Sequence, residues 1–201
     1  STRILLVVNP EKVPARTLPA FVDFLRRNPS TTLTSAGHGG LGHLGLELFA
    51  LDQKLKITHV AYRGSAPALQ DVLAGQVHGM ILDATTAMPH LQSGKLYPIV
   101  TASTMRTPNL PDLPTATELG MKSLQIDSSM GIVLPPRTPQ AIVDRLGAAL
   151  KAAVNSASYT DAAAKQGNAR FFEDAEKFRA WLQEDFDKYG AVIRAANIKV
   201  Q

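Results

Sequence analysis

The segment Thr34-Ser35-Ala36-Gly37-His38-Gly39-Gly40-Leu41-Gly42-His43-Leu44 gathers the residue types that hold a small anion. Glycine has no Cβ and accepts positive φ, so a loop this rich in it lets the backbone close on a ligand. An apolar helical run follows (Leu44, Leu46, Leu48, Phe49, Leu51). The free N–H groups and positive dipole end of such a helix point back at the loop. Two more loops of similar make-up follow along the chain, Tyr62-Arg63-Gly64-Ser65-Ala66-Pro67 and Asp83-Ala84-Thr85-Thr86. Each stands between a strand-like run and a helix-like run. Bound anions, held mainly by backbone, are the chemistry this pattern supports.

Other chemistries fit less well. Gly37, Gly39 and Gly42 match the G-x-G-x-x-G dinucleotide fingerprint, but the acidic residue that should bind ribose is missing. The next strand ends at Tyr62-Arg63 instead, where an arginine could meet a 2′-phosphate, so an NADP-dependent enzyme is one alternative. A glycine-rich turn without a ligand, in a non-binding interaction module, is another. Ser35 or Ser65 with a histidine and Asp83 would make a nucleophilic site. Neither serine lies in G-x-S-x-G, and the order of partners matches no common triad. His38 and His43 are five apart and do not share a helix face, while His59, His78 and His90 fall on separate elements. No catalytic residue, metal site or cofactor is therefore expected. His43, at the start of a helix beside the loop, is expected to help form the pocket. Asp83 either meets a ligand ammonium or caps the next helix.

The elements that must position these loops read as α/β. Ile4 to Val8 is a continuous apolar run of the kind found in buried parallel strands. Thr17 reads as the N-cap of a helix through Arg27, with Leu18, Phe21, Val22 and Leu25 on one face, and Asn28-Pro29 stops it. Strands then precede each loop (Thr31 to Thr34, Ile57 to Ala61, Val77 to Leu82), and the helices after the second and third end at Gly75 and Gly94. This alternation argues for a largely parallel sheet whose ligand loops collect at the carboxyl ends of the strands. Tyr97 to Thr101 reads as a further strand, and Leu124 to Leu134 is long enough to run between two lobes. From Pro139 the chain turns helical, with Ala141, Ile142, Leu146, Ala149, Leu150 and Ala153 at helical spacing. A helix over Thr160 to Gln166 ends at Gly167, and another from Asp174 carries Phe178, Trp181, Leu182 and Phe186. One short strand candidate, Ala169 to Phe172, accompanies them. These helices are too apolar to stand without a sheet.

Composition sets the outer limits. The 201 residues are 45% hydrophobic and 19% charged, with a net charge of +4 and no cysteine. Disulfides and thiolate metal sites are excluded. The basic residues are dispersed and lack interleaved aromatics, so nucleic acid is not an expected partner. No apolar run reaches the roughly 20 residues of a membrane span, and no signal-peptide pattern is present.

Five motifs in order carry a resemblance: Ser35-Ala36-Gly37-His38-Gly39 with His43-Leu44; Tyr62-Arg63-Gly64-Ser65-Ala66-Pro67-Ala68-Leu69; Leu73-Ala74-Gly75-Gln76-Val77; Pro111-Asp112-Leu113-Pro114-Thr115 with Glu118 and Gly120; and Gly131-Ile132-Val133-Leu134-Pro135 with Thr138-Pro139. The series resembles the periplasmic solute-binding receptors of tripartite tricarboxylate transporters, the Bug family, over essentially the whole chain. The resemblance implies a periplasmic-binding-protein-like, two-lobed Venus flytrap of type II. It would bind a small carboxylate between lobes and deliver it to a membrane permease, in the periplasm and without catalysis. The implied ligand residues are Ser35, Gly37, His38, Gly39 and His43 from the first loop, Gly64, Ser65 and Ala66 from the second, and Asp83. Gly40, Ala61, Arg63 and Ser129 depart from the family's usual serine, proline, lysine and aromatic. Measured against the family, the chain is expected to lack roughly the N-terminal third. Residues 10–124 would then form the complete ligand-binding lobe. Residues 1–9 and 125–201 would supply crossover strands and C-terminal helices of an incomplete first lobe, and the chain would self-associate through them.

Overall fold

The computed structural model describes residues 3–128, 130–165 and 171–198. A five-stranded sheet runs β3-β2-β4-β1-β5, built from β1 (Ile4–Val8), β2 (Thr32–Ser35), β3 (Thr58–Ala61), β4 (Gly79–Asp83) and β5 (Tyr97–Thr101). Helices α1 (Leu18–Arg27) and α2 (Leu41–Gln53) pack on one face, and α3 (Ser65–Leu73) and α4 (Ala84–Gln92) on the other. Side-chain alternation along β1 shows the reason. Leu6 and Val8 enter the core with α1 and α2, whereas Leu5 and Val7 enter the core with α3 and α4. A strand covered on both faces must be apolar at every position.

The same run sets no direction, and here the expectation of a parallel strand is corrected. β1 is antiparallel to both neighbours, pairing Leu6 with Ile81 of β4 and with Val100 of β5. Only β3-β2-β4 is parallel, so the sheet is mixed. Continuous burial reports covered faces, and those arise equally in an antiparallel strand at the middle of a sheet. Residues 1–9 also do more than cross over, since Ile4–Val8 is an inner strand of this sheet.

Local signals fall where side-chain chemistry puts them. Thr17 caps α1 by accepting from the Ala20 N–H at 3.3 Å, and Asn28 closes the helix. Leu124 and Ile126 enter the core beside α1 and α2, and no regular strand forms over the described part of Leu124 to Leu134. The C-terminal helices are α5 (Gln140–Val154), α6 (Ala157–Lys165) and α7 (Ala175–Ala195). α6 begins three residues before the expected Thr160. Ser129, Gly167 and the first half of the strand candidate Ala169 to Phe172 lie outside the described residues, and the described half, Phe171 and Phe172, is not a strand. α7 packs against α2 and buries Tyr189 and Val192, and Lys188 Nζ donates to the Gln125 carbonyl at 3.0 Å. α5 buries none of its residues and α6 only Ala163. Among the described residues no helix is long and apolar enough to cross a membrane.

Candidate functional site

Because β2, β3 and β4 run parallel, the loops that leave them emerge at one edge of the sheet. Ser35 is in register with Ala61, and the Gly64 N–H donates to the Ala36 carbonyl at 3.0 Å, joining the first and second loops. Gly39 (φ +71°) and Gly64 (φ +110°) hold backbone conformations that side-chain-bearing residues rarely adopt. Gly64 is the N-cap of α3 and Gly40 the N-cap of α2, and neither helix start is capped by a side chain. Two sets of helix-terminal N–H groups therefore open on the same edge.

The third loop differs. Asp83 caps α4, its Oδ1 accepting from the Thr86 N–H and its Oδ2 from the Thr86 hydroxyl, both at 2.8 Å. Of the two roles open to Asp83 in the sequence, the cap is the one its oxygens are seen to fill.

Gly42 is explained by packing. A Cβ there would stand 2.8 Å from Ser35 Cβ and 3.2 Å from Ile81 Cγ2, so only glycine lets α2 lie this close to β2 and β4. Gly42 thus has a packing cause and Gly39 a conformational one, and neither requires a dinucleotide.

Beneath the first loop lies a cluster that spacing along the chain did not reveal. His38, His43 and His59 converge, each placing one ring nitrogen within 4.8 Å of the others. The expectation that the histidines stay apart is overturned for these three. The loop reverses at Gly39 and folds His38 back to 4.7 Å from His43, ring centre to ring centre. Parallel pairing of β2 with β3 brings His59 to 3.9 Å from His43 in a stacked arrangement. His43 is buried, His59 half-buried and His38 exposed.

Hydrogen bonds define the cluster further. Gly39 N–H donates to His43 Nδ1 at 3.0 Å, which places the proton of the neutral ring on Nε2, 3.4 Å from Glu47 Oε1. His43 thus braces the loop from below. Ser35 Oγ lies 2.9 Å from His59 Nε2 and donates to the Gly37 carbonyl at 3.3 Å. Burial pushes the His59 imidazole down to about 4, helped by His43 and His38. Burial, then His38, also lowers His43, while burial raises the Glu47 carboxyl against the opposing pull of His38. His59 and Glu47 were not legible as site residues. Glu47 stands one helical turn from His43, a signal present in the sequence, whereas His59 needs the sheet register.

Known proteins resemble the chain along its length. The model of the tripartite tricarboxylate transporter family receptor, TctC, matches residues 1–198. A UPF0065 protein in the gbd 5′ region of Cupriavidus necator is 28% identical over 188 residues, covering 93% of this chain and 57% of the relative. Protein BugT of Bordetella pertussis is 26% identical over 199 residues, covering 98% of this chain and 61% of the relative. This chain therefore spans only part of the length of the curated relatives it matches. Among solved structures, a periplasmic transporter superposes with a TM-score of 0.82 at 31% identity, covering 100% of this chain and 67% of that one. Rpa4515 of R. palustris, solved with adipate, gives 0.79 at 26% identity, with 98% and 66% covered. MatC of Rhodopseudomonas palustris, with bound malate, gives 0.75 at 27%, with 96% and 66% covered. The neighbours share a periplasmic-binding-protein-like fold. These solute-binding relatives are receptors, not enzymes. With a match from residue 1 to residue 198, the chain belongs to the TctC family of tripartite tricarboxylate transporter receptors.

Proposed function

We propose that this chain captures a small carboxylate at the loop edge of its sheet and, as part of a periplasmic receptor, passes it to a transporter permease without chemical change. The observation that carries this reading is the pair of helix starts, at Gly40 and Gly64, that face one edge without a side-chain cap. Carboxylate oxygens are suited to such N–H groups, and charge-assisted bonds of this kind are about twice as strong as neutral ones. Gly37, Gly64 and Ala66 supply backbone, and the Ser35 and Ser65 hydroxyls stand beside it. His38 packs against His43, and His43 holds the loop through the Gly39 N–H. Asp83 sits at the rim as the α4 cap, where its charge disfavours a second carboxylate arm close by. The dicarboxylates adipate and malate in related structures support the ligand class.

In this reading residues 10–124, with β1 threaded through their sheet, form the ligand-binding lobe. Segment 125–201, apart from Ile126, which packs in the core of this lobe, belongs to the neighbouring lobe, and the two lobes close over the ligand. Calorimetric titration with malate, adipate, a tricarboxylate and NADPH tests the reading. A carboxylate should bind, and Gly64→Val should weaken it by at least about tenfold, equivalent to about 1.4 kcal/mol, because valine resists the positive φ that turns the α3 N–H groups to the edge. Binding of NADPH alone would overturn it.

A further inference from the structure

We propose that His38, His43 and His59, completed by Glu47, form a binding site for one divalent transition-metal ion of the zinc class. The proposal concerns the edge assigned to the carboxylate but needs no carboxylate to be bound. It rests on where the donors stand. Three imidazoles from three separate places (the glycine loop, the first turn of α2 and strand β3) bring one nitrogen each within 4.8 Å of the others. Imidazole is a favoured ligand of zinc, copper and nickel.

His59 and His43 each have a defined free end. Ser35 Oγ lies 2.9 Å from His59 Nε2 and already donates to the Gly37 carbonyl, so it can accept the Nε2 proton. That leaves His59 Nδ1 for an ion, with the other ring nitrogen fixed by a hydrogen bond as metal-bound histidines usually are. His43 offers Nε2, and Glu47 Oε1 stands 3.4 Å from it. Two ligands on a tetrahedral zinc, at bond lengths of about 2.0–2.1 Å, lie roughly 3.3 Å apart, so this pair is already spaced to share an ion. His38 is exposed and can swing inward to close the set, which also leaves the ion a way in from solvent.

Binding demands two local adjustments. The stacked His43 and His59 rings must fan apart so that both point at the ion. The His43 Nε2 proton moves to Nδ1, so the Gly39 N–H that now donates there must turn away. Gly39, at φ +71° with no atom near its would-be Cβ, has the room and the backbone freedom to do so. The bound ion would tie the loop, α2 and β3 together.

The test is titration of the metal-stripped chain with zinc by calorimetry and with cobalt by visible absorption. One ion per chain and the intense visible bands of four-coordinate cobalt are expected. His38→Asn and Glu47→Gln should each weaken zinc by at least about tenfold, with the metal-free melting temperature of His38→Asn unchanged. His90→Asn, on α4, should bind as the parent does. In the parent chain, zinc should shift the ring-nitrogen NMR signals of His38, His43 and His59 together, a readout that needs no variant. Absence of zinc binding, affinity unchanged in both His38→Asn and Glu47→Gln, or shifts confined to His78 and His90 would overturn the proposal. Carboxylate titration in chelator-treated buffer keeps the two readings apart: malate or adipate binding there, without zinc binding in the metal titration, removes the metal site alone.

Discussion

His59 makes the cost of assembling this loop edge visible. Its imidazole titrates near 4 when folded, against 6.5 for an unperturbed ring, chiefly because burial penalises the charge and secondly because His43 and His38 stand beside it. A base whose folded value is depressed binds fewer protons in the native state than in the unfolded chain across the interval between the two values. Stability should therefore be full above about pH 6.5 and fall as pH drops toward about 4. Urea denaturation across this range, with chelator present, should show the midpoint falling, and His59→Gln should flatten the slope. A parent slope no steeper than that of His59→Gln would mean that the ring is solvated. At this scale the sequence was legible for the cap at Asp83 and for the positive φ of Gly39 and Gly64, which follow from local backbone rules, but not for Gly42, whose cause is packing against β2 and β4. It was not legible for the histidine cluster, because His43 and His59 meet only through strand register and His38 only through a reversal at Gly39.

At the scale of elements, boundaries with a local chemical cause could be read directly. Thr17 and the four buried apolar positions of α1 appear at their places, and β5 occupies Tyr97–Thr101 as expected. The direction of β1 could not be read, because it depends on where β4 inserts between β1 and β2. α4 offers a clean separation of cap from charge. Asp83 spends both oxygens on Thr86. Asp83→Ala should cost about 0.5–2 kcal/mol of stability, whereas Asp83→Asn, an equally good cap, should cost little. Thermal melts of the two variants check this. If Asp83 also repels a second carboxylate arm at the rim, Asp83→Asn should tighten malate binding while leaving the melt nearly unchanged. Equal loss of stability in both variants would show that charge, and not the cap, is what α4 needs from this residue.

The whole molecule divides into a well-packed sheet with its four flanking helices and a helical segment that packs poorly. Both faces of the sheet carry closed cores, yet α5 buries no residue, and Ile142, Leu182 and Phe186 are 50%, 42% and 76% exposed. Ile132 and Val133, in the segment that precedes α5, are 58% and 79% exposed. Apolar surface gathered in this way marks an interaction face. The apolar spacing in α5 and α7 leads to the expectation of a covering sheet, and among the described residues α5 buries none of its side chains. In a two-lobed receptor the first lobe covers such a face, and closure of both lobes excludes water from the ligand. Where water reaches the ligand, competing solvent leaves each hydrogen bond to the carboxylate worth about 0.5–1.5 kcal/mol. The chain on its own should therefore bind malate or adipate weakly and self-associate through α5 and α7. Light scattering across a concentration series should show mass rising with concentration, and Leu182→Glu with Phe186→Glu should restore the monomer because neither side chain supports the sheet core. A monomer at high concentration that also binds one dicarboxylate tightly would contradict both expectations, since it would require the sheet edge to shield its ligand without a second lobe and the helices to tolerate water on their apolar faces.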